Sequence, residues 1–283
     1  MHLTNLHSHT LYCDGKNSIE EMVLSAINSN MQSIGISTHG PTPFFSDWNI
    51  QNINVQKYLD EMNNLKEKYK GTIDVLIGME LDYIPKIGFS NEIKEIMHSL
   101  DYYIGSVHYL GKFNDGIMWT VDYTLDEILR GIEVSFKNNK KLAIETYYDL
   151  ISEMAYTYEP PIIGHLDLIK KNNINNILFD ERDDWYLNTV EACLNVIKNT
   201  SSVVEINTGG IARGYTKEQY PSTFIIKMMM DKNIPVIINS DAHNVDGITC
   251  KFDEMYNLIQ KLGFNKISYL TNNGWKEQNI DFK

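Results

Sequence analysis

Short apolar runs, many of them β-branched, recur along the chain, and each gives way to a turn and then to a stretch of helical periodicity. The runs fall near Leu3–Leu6, Ile34–Ser37, Ile73–Gly78, Tyr102–Val107, Pro161–Gly164, Val203–Ile206, Pro235–Asn239 and Lys266–Leu270. Between them the periodicity predicts helices at Ile19–Asn28, Val55–Tyr69, Asp183–Lys198 and Phe252–Leu262, the first with Ser18 and Glu21 spaced as a capping box. Apolar strands alternating with helices predict a parallel sheet wrapped by helices. Seven or eight such units favour a closed α/β barrel over an open doubly wound sheet. No GxGxxG or GxxxxGK(S/T) stretch supports the nucleotide-binding forms of the open sheet. No Pro-, Gly- or Ser-rich linker divides the chain, which reads as one unit over 1–283. Leu110 to Pro160 breaks the rhythm with a long, largely helical pattern. It is either an insertion shaping a pocket or an oligomer contact, or an ordinary helical layer.

The polar residues that matter sit at the ends of these runs. His7 and His9 follow the first, His39 the second, His108 the fourth, His165 the fifth and His243 the seventh; Glu80 follows the third and Asp241 ends the seventh. In a parallel barrel those ends open on one face, where active sites are built. Six histidines converging there do not fit a scatter of ordinary core and surface residues, whereas His2 and His98 do. His7 and His9 are two apart, so on extended backbone both imidazoles point to one side and can reach one metal. Asp241 and His243 repeat that spacing with a carboxylate. Imidazole with carboxylate and no cysteine suits catalytic zinc, iron or manganese.

Composition narrows the partners. The net charge is −12, which argues against tight binding to long nucleic acid, since phosphate contacts need clustered Lys and Arg. A small anionic substrate remains open, because metal ions bring their own positive charge. Cys13, Cys193 and Cys250 form no CxxC pair and no disulfide framework. No signal-peptide pattern and no apolar run of about 18 residues is present, so a cytoplasmic protein with no membrane span is expected. Oligomeric state is left open.

Several stretches together resemble the PHP (polymerase and histidinol phosphatase) family. They are Asn5-Leu-His-Ser-His-Thr10 with Asp14-Gly15, Ser37-Thr-His-Gly40, Gly78-Met-Glu-Leu-Asp82, Gly105-Ser-Val-His108, Gly164-His-Leu-Asp-Leu-Ile169, Val204-Glu-Ile-Asn-Thr208 and Asn239-Ser-Asp-Ala-His243. Within that family, GHxDLIKK and EINTGG, followed by Arg213 and Tyr220-Pro-Ser222, most resemble histidinol-phosphate phosphatases. The resemblance implies a distorted (β/α)7 TIM-like barrel holding two or three divalent ions. Carried over, it implies one metal on His7, His9, Glu80 and Asp241, a second on Glu80, His108 and His165, and a third on Asp14, His39 and His243. The Asp14 position is a histidine in many members, so the third site is richer in oxygen here.

Closely spaced divalent ions lower the pKa of a bound water to roughly 7 and neutralise phosphate oxygens during displacement, which points to phosphomonoester hydrolysis. The resemblance supplies L-histidinol phosphate as substrate. The other readings are a phosphotyrosine or sugar-phosphate phosphatase, a phosphodiesterase, an amidohydrolase-type hydrolase, or a regulatory module with a degenerate site. Arg213, beyond the sixth run, is either a two-pronged phosphate clamp or a solvated loop residue. Pro43-Phe-Phe-Ser-Asp-Trp48 is either a lid over an imidazole or a plug of the barrel mouth or packing under a loop; Asp167 either orients His165 or caps the following helix. Cys13 reads as a free thiol, and Met228-Met-Met230 as core filler.

Overall fold

The computed structural model describes residues 3–280. Along the chain its strands are β1 (Thr4–Asn5), β2 (Ser33–Ile36), β3 (Asp74–Ile77), β4 (Glu80–Asp82), β5 (Ile104–Ser106), β6 (Tyr109–Lys112), β7 (Met118–Thr120), β8 (Ile162–Ile163), β9 (Val203–Asn207), β10 (Val236–Asn239), β11 (Lys266–Thr271) and β12 (Gly274–Asn279). The fold is α/β, a distorted TIM-like barrel whose wall is two parallel sheets, β1-β2-β3 and β10-β9-β8-β5-β4. The sheets meet at two single-residue bridges rather than in one continuous ladder. At one seam Ser8 pairs with Ala242, and at the other His39 pairs with Glu80.

The split of the third run explains the second seam. β3 pairs with β2, the chain jogs through Gly78 and Met79, and β4 then pairs with β5. Glu80 therefore opens a strand instead of trailing one as expected. The eighth run also departs from expectation: β11 pairs antiparallel with β12 through a two-residue turn at Asn272-Asn273, outside the parallel sheets. The helices Ile19–Asn28 and Phe252–Leu262 have the expected bounds, and the Ser18–Glu21 capping box forms. The long stretch between the fourth and fifth runs is not all helix. It opens with the antiparallel β6–β7 hairpin, which starts directly after His108, and only then enters helices Leu125–Phe136 and Lys140–Tyr158. The three-residue strand Met118–Thr120 is too short to show a period of two.

Inside the ring, Tyr102 lies in a buried cluster with Leu6, Leu76, Ile104, Ile162 and Ile237, and its hydroxyl donates to the Leu6 carbonyl at 2.5 Å. Gly35 and Gly78 make room for that ring; a Cβ on either would collide with the Tyr102 phenol. Gly35→Ala is therefore expected to destabilise the protein by about 1–3 kcal/mol, the cost of overpacking a tight core. Urea unfolding reads it, and an unchanged midpoint would contradict the packing. Met229 is fully buried and Met228 and Met230 pack against the core, as filler.

Candidate metal centre

The strand ends that frame the two seams also carry the chemistry. Ser8, bridged to Ala242, stands between His7 and His9, and Ala242 stands between Asp241 and His243. Alternation of side chains then turns all four neighbours to the interior. His9 Nε2 lies 3.2 Å from Asp241 Oδ1 and His7 Nε2 lies 3.7 Å from the same oxygen. Asp241 adopts a left-handed backbone, φ 50°, uncommon for a residue with a Cβ, as the chain turns its carboxylate inward.

Glu80 is the hub. Its Oε1 is 2.8 Å from His165 Nε2 and 3.5 Å from His108 Nε2. Its Oε2 is 3.0 Å from His7 Nε2, 3.3 Å from His39 Nδ1 and 3.5 Å from His9 Nε2. Asp14 Oδ2 is 3.0 Å from His243 Nε2, while His39 Nε2 is 4.0 Å from Asp14 Oδ1. All nine residues singled out from the sequence thus meet in one place. Their donor atoms fall into four overlapping groups: His9, Asp14, His39 and His243; His7, Glu80 and His165; His7, His9 and Asp241; and His39, Glu80 and His108. His39 is closer to Glu80 than to Asp14, so it stands between two of the three expected sets. His98 lies in a short 3₁₀ turn, and His2 lies outside the described residues.

The carboxylates and imidazoles act on one another's charge, and an ion would have to displace the imidazole protons that the carboxylates hold. Burial opposes ionisation of Glu80, but His7, His39 and His108 outweigh it and hold the carboxyl well below its usual range. Burial likewise opposes charge on His108, yet Asp82 and Glu80 push the imidazole up to about 10. Burial, with His243 and His39 adding to it, brings His9 down to about 3. His9 Nε2 and His39 Nδ1 are buried and, although carboxylate oxygens lie 3.2 and 3.3 Å away, neither makes a well-directed hydrogen bond. Buried polar nitrogens left in that state are costly, and a divalent ion among these donors would satisfy them.

Two further carboxylates, to which the sequence pattern assigns no role, hold the imidazoles in place. Glu205, fully buried on β9, accepts from His7 Nδ1 at 2.9 Å, from the His165 backbone N–H at 2.7 Å, and from Asn207 and Asn239. Asp82 accepts from His108 Nδ1 at 2.6 Å and from Asn49 Nδ2 at 3.0 Å. Each leaves Nε2 of its histidine for a metal. The signal was present: Glu205 is a lone charge inside an apolar run, and Asp82 is two residues from Glu80 on one strand.

The remaining side chains singled out from the sequence take these places. Asp167 neither orients His165 nor caps a helix; its Oδ2 accepts from the Ser222 N–H and hydroxyl and lies 3.1 Å from Lys170 Nζ. Phe44 and Trp48 pack on the Tyr109 ring rather than on an imidazole. Arg213 is half-buried and tied to the donors: its two Nη atoms donate to Asp241, at 2.8 Å to the carbonyl and 2.9 Å to Oδ2, and Nη1 is 2.7 Å from His243 Nδ1. Gly209 permits this approach, since a Cβ there would crowd Asp241 and Arg213. Cys13 is free, with its thiol 3.5 Å from His9 Nδ1.

Above the donors opens a cavity of about 760 Å³ whose wall includes His39, Glu80, His108, His165, Arg213 and His243. The PHP domain model matches residues 5–209. The chain belongs to the PHP domain family. Histidinol-phosphatase of Bacillus subtilis is 26% identical over 259 residues, which cover 86% of this chain and 94% of that protein. Two solved structures share the fold. The hisK protein of Listeria monocytogenes superposes with a TM-score of 0.79 at 23% identity, over 89% of this chain and 99% of that one. Histidinol phosphate phosphatase of Lactococcus lactis, solved with Zn, L-histidinol and phosphate, gives 0.73 at 18% identity, over 97% of this chain and 99% of that one. No helix among the described residues of this PHP chain is long and apolar enough to cross a membrane.

Proposed function

We propose that this PHP protein hydrolyses L-histidinol phosphate to L-histidinol and phosphate with two or three divalent ions, zinc, manganese or iron. The observation that carries the reading is the convergence of nine imidazole and carboxylate donors, seven of them lining one cavity and His7 and His9 buried just beneath, with a guanidinium at the cavity's edge. The names of its relatives support the substrate. His7, His9, Glu80 and Asp241 form one site in this reading, Glu80, His108 and His165 a second, and Asp14, His39 and His243 a third. Bound divalent ions supply Lewis acidity and an activated water. Glu205 and Asp82 keep His7 and His108 in the tautomers that present Nε2 to the cavity. Arg213 shares its fork between Asp241 and an incoming phosphate oxygen. The setting we assign is the cytoplasm, which three unpaired cysteines support.

Phosphate release from purified protein tests the reading, with metal content recorded on the same sample. The panel holds histidinol phosphate, p-nitrophenyl phosphate, a phosphotyrosine peptide and bis-p-nitrophenyl phosphate. A kcat/KM for histidinol phosphate about a hundredfold above the rest, equivalent to about 2.7 kcal/mol, is expected. Even activity across the panel, or activity strongest on the diester, overturns the substrate assignment. Arg213→Ala is expected to raise KM for a phosphomonoester about tenfold or more while leaving most of the metal bound. Loss of metal in proportion to activity would instead make Arg213 a support for Asp241 alone.

A further inference from the structure

Among the described residues, four carboxylates line the cavity. Asp14, Glu80 and Asp241 belong to the donor groups, and Asp122 does not. Asp122 stands just past the β6–β7 hairpin, where the Val121 N–H donates to the His108 carbonyl at 2.9 Å. The hairpin thus ties Asp122 to the segment that presents a metal donor, and its carboxylate feels both His108 and His165. Its tie to Lys171 is loose: Nζ reaches Oδ2 at 3.3 Å, long for a bond between full charges. The Lys171 ammonium also sits over the Tyr215 ring, 4.4 Å from its centroid, which gives it a second place to rest.

We propose that Asp122 receives the cationic nitrogen of the substrate, displacing Lys171 toward Tyr215. The inference rests on the phosphatase reading above and names the group that makes the site selective. Divalent ions held by the donor groups would make this cavity hostile to a cation, and a carboxylate outside the donor set would offset that repulsion. In histidinol phosphate the ammonium is on the carbon next to the one bearing the ester oxygen. Phosphate seated against Glu80, His108 and His165 would carry that ammonium to the wall of the same cavity on which Asp122 stands. A phosphomonoester without the amine leaves the Asp122–Lys171 pair in place and gains nothing from it.

The test compares kcat/KM for L-histidinol phosphate with that for its deaminated analogue, imidazolylpropyl phosphate, in the metal-loaded wild type, Asp122→Asn and Lys171→Met. Asp122→Asn is expected to lower the ratio of the two about tenfold or more, chiefly through KM for the amine. Lys171→Met is expected to raise the ratio, because it removes the competing cation. An unchanged ratio in Asp122→Asn overturns the proposal, and so does a fall of the same size in both variants, which would make the ion pair a strut of the rim. If the wild type prefers another phosphomonoester, the substrate reading fails while this one is still decided. Ethanolamine phosphate against ethyl phosphate then replaces the pair; a tenfold loss of ratio in Asp122→Asn supports the role of Asp122, and no loss overturns it.

Discussion

Glu80→Gln is expected to lower kcat/KM for a phosphomonoester about a thousandfold or more and to cost the protein at least one bound ion. Both oxygens of Glu80 are engaged, Oε1 facing His108 and His165 and Oε2 facing His7, His9 and His39. An amide keeps the shape but removes the negative charge that lets neighbouring cations share the site, and its NH₂ group takes an acceptor position. Lewis-acid stabilisation is worth several kcal/mol and each 1.36 kcal/mol is a factor of ten, which sets the scale of the loss. Steady-state kinetics and elemental analysis of the same preparation check it. Turnover near the wild-type rate with full metal content would remove Glu80 from the centre.

The second large effect is on stability. Glu205→Gln is expected to destabilise the fold by about 2–4 kcal/mol, since every neighbour of its oxygens is a donor. Oε1 receives the His165 N–H at 2.7 Å and Asn207 Nδ2 at 2.8 Å, while Oε2 receives Asn239 Nδ2 and His7 Nδ1, both at 2.9 Å. Whichever way a glutamine is turned, its NH₂ meets two of these donors. Urea unfolding of the metal-stripped protein isolates the effect from metal binding. A shift below about 0.5 kcal/mol would mean the cluster re-forms around the amide.

The strand ends were legible because apolar β-branched runs punctuated by turns give both the strands and their termini, and the chemistry is written at the termini. His7 with His9 and Asp241 with His243 needed only the two-residue repeat of an extended chain. What the pattern hid were features set by pairing at a distance. The jog at Gly78 and Met79 lies inside one continuous apolar run, and only the change of partner from β2 to β5 reveals it. The eighth run looks like its predecessors until β12 pairs with it antiparallel. The partner of Asp167 is hidden for a similar reason: Ser222 lies far along the chain. Glu205 was overlooked although a charge within Val203–Asn207 is itself a sign of a buried ion pair.

The two seams have a consequence for how the molecule is assembled and kept. Each of the four donor groups draws residues from both sheets: His7, His9, Asp14 and His39 come from the β1–β3 side, and Glu80, His108, His165, Asp241 and His243 from the β4–β10 side. Backbone pairing between the sheets is one bridge deep at each junction. An ion held by these groups would be a staple across the join, closing with ligand bonds a ring that the peptide backbone alone only stitches. Metal loading and mechanical closure would then be one event, and the midpoint of thermal unfolding is expected to climb with free metal by the law of mass action.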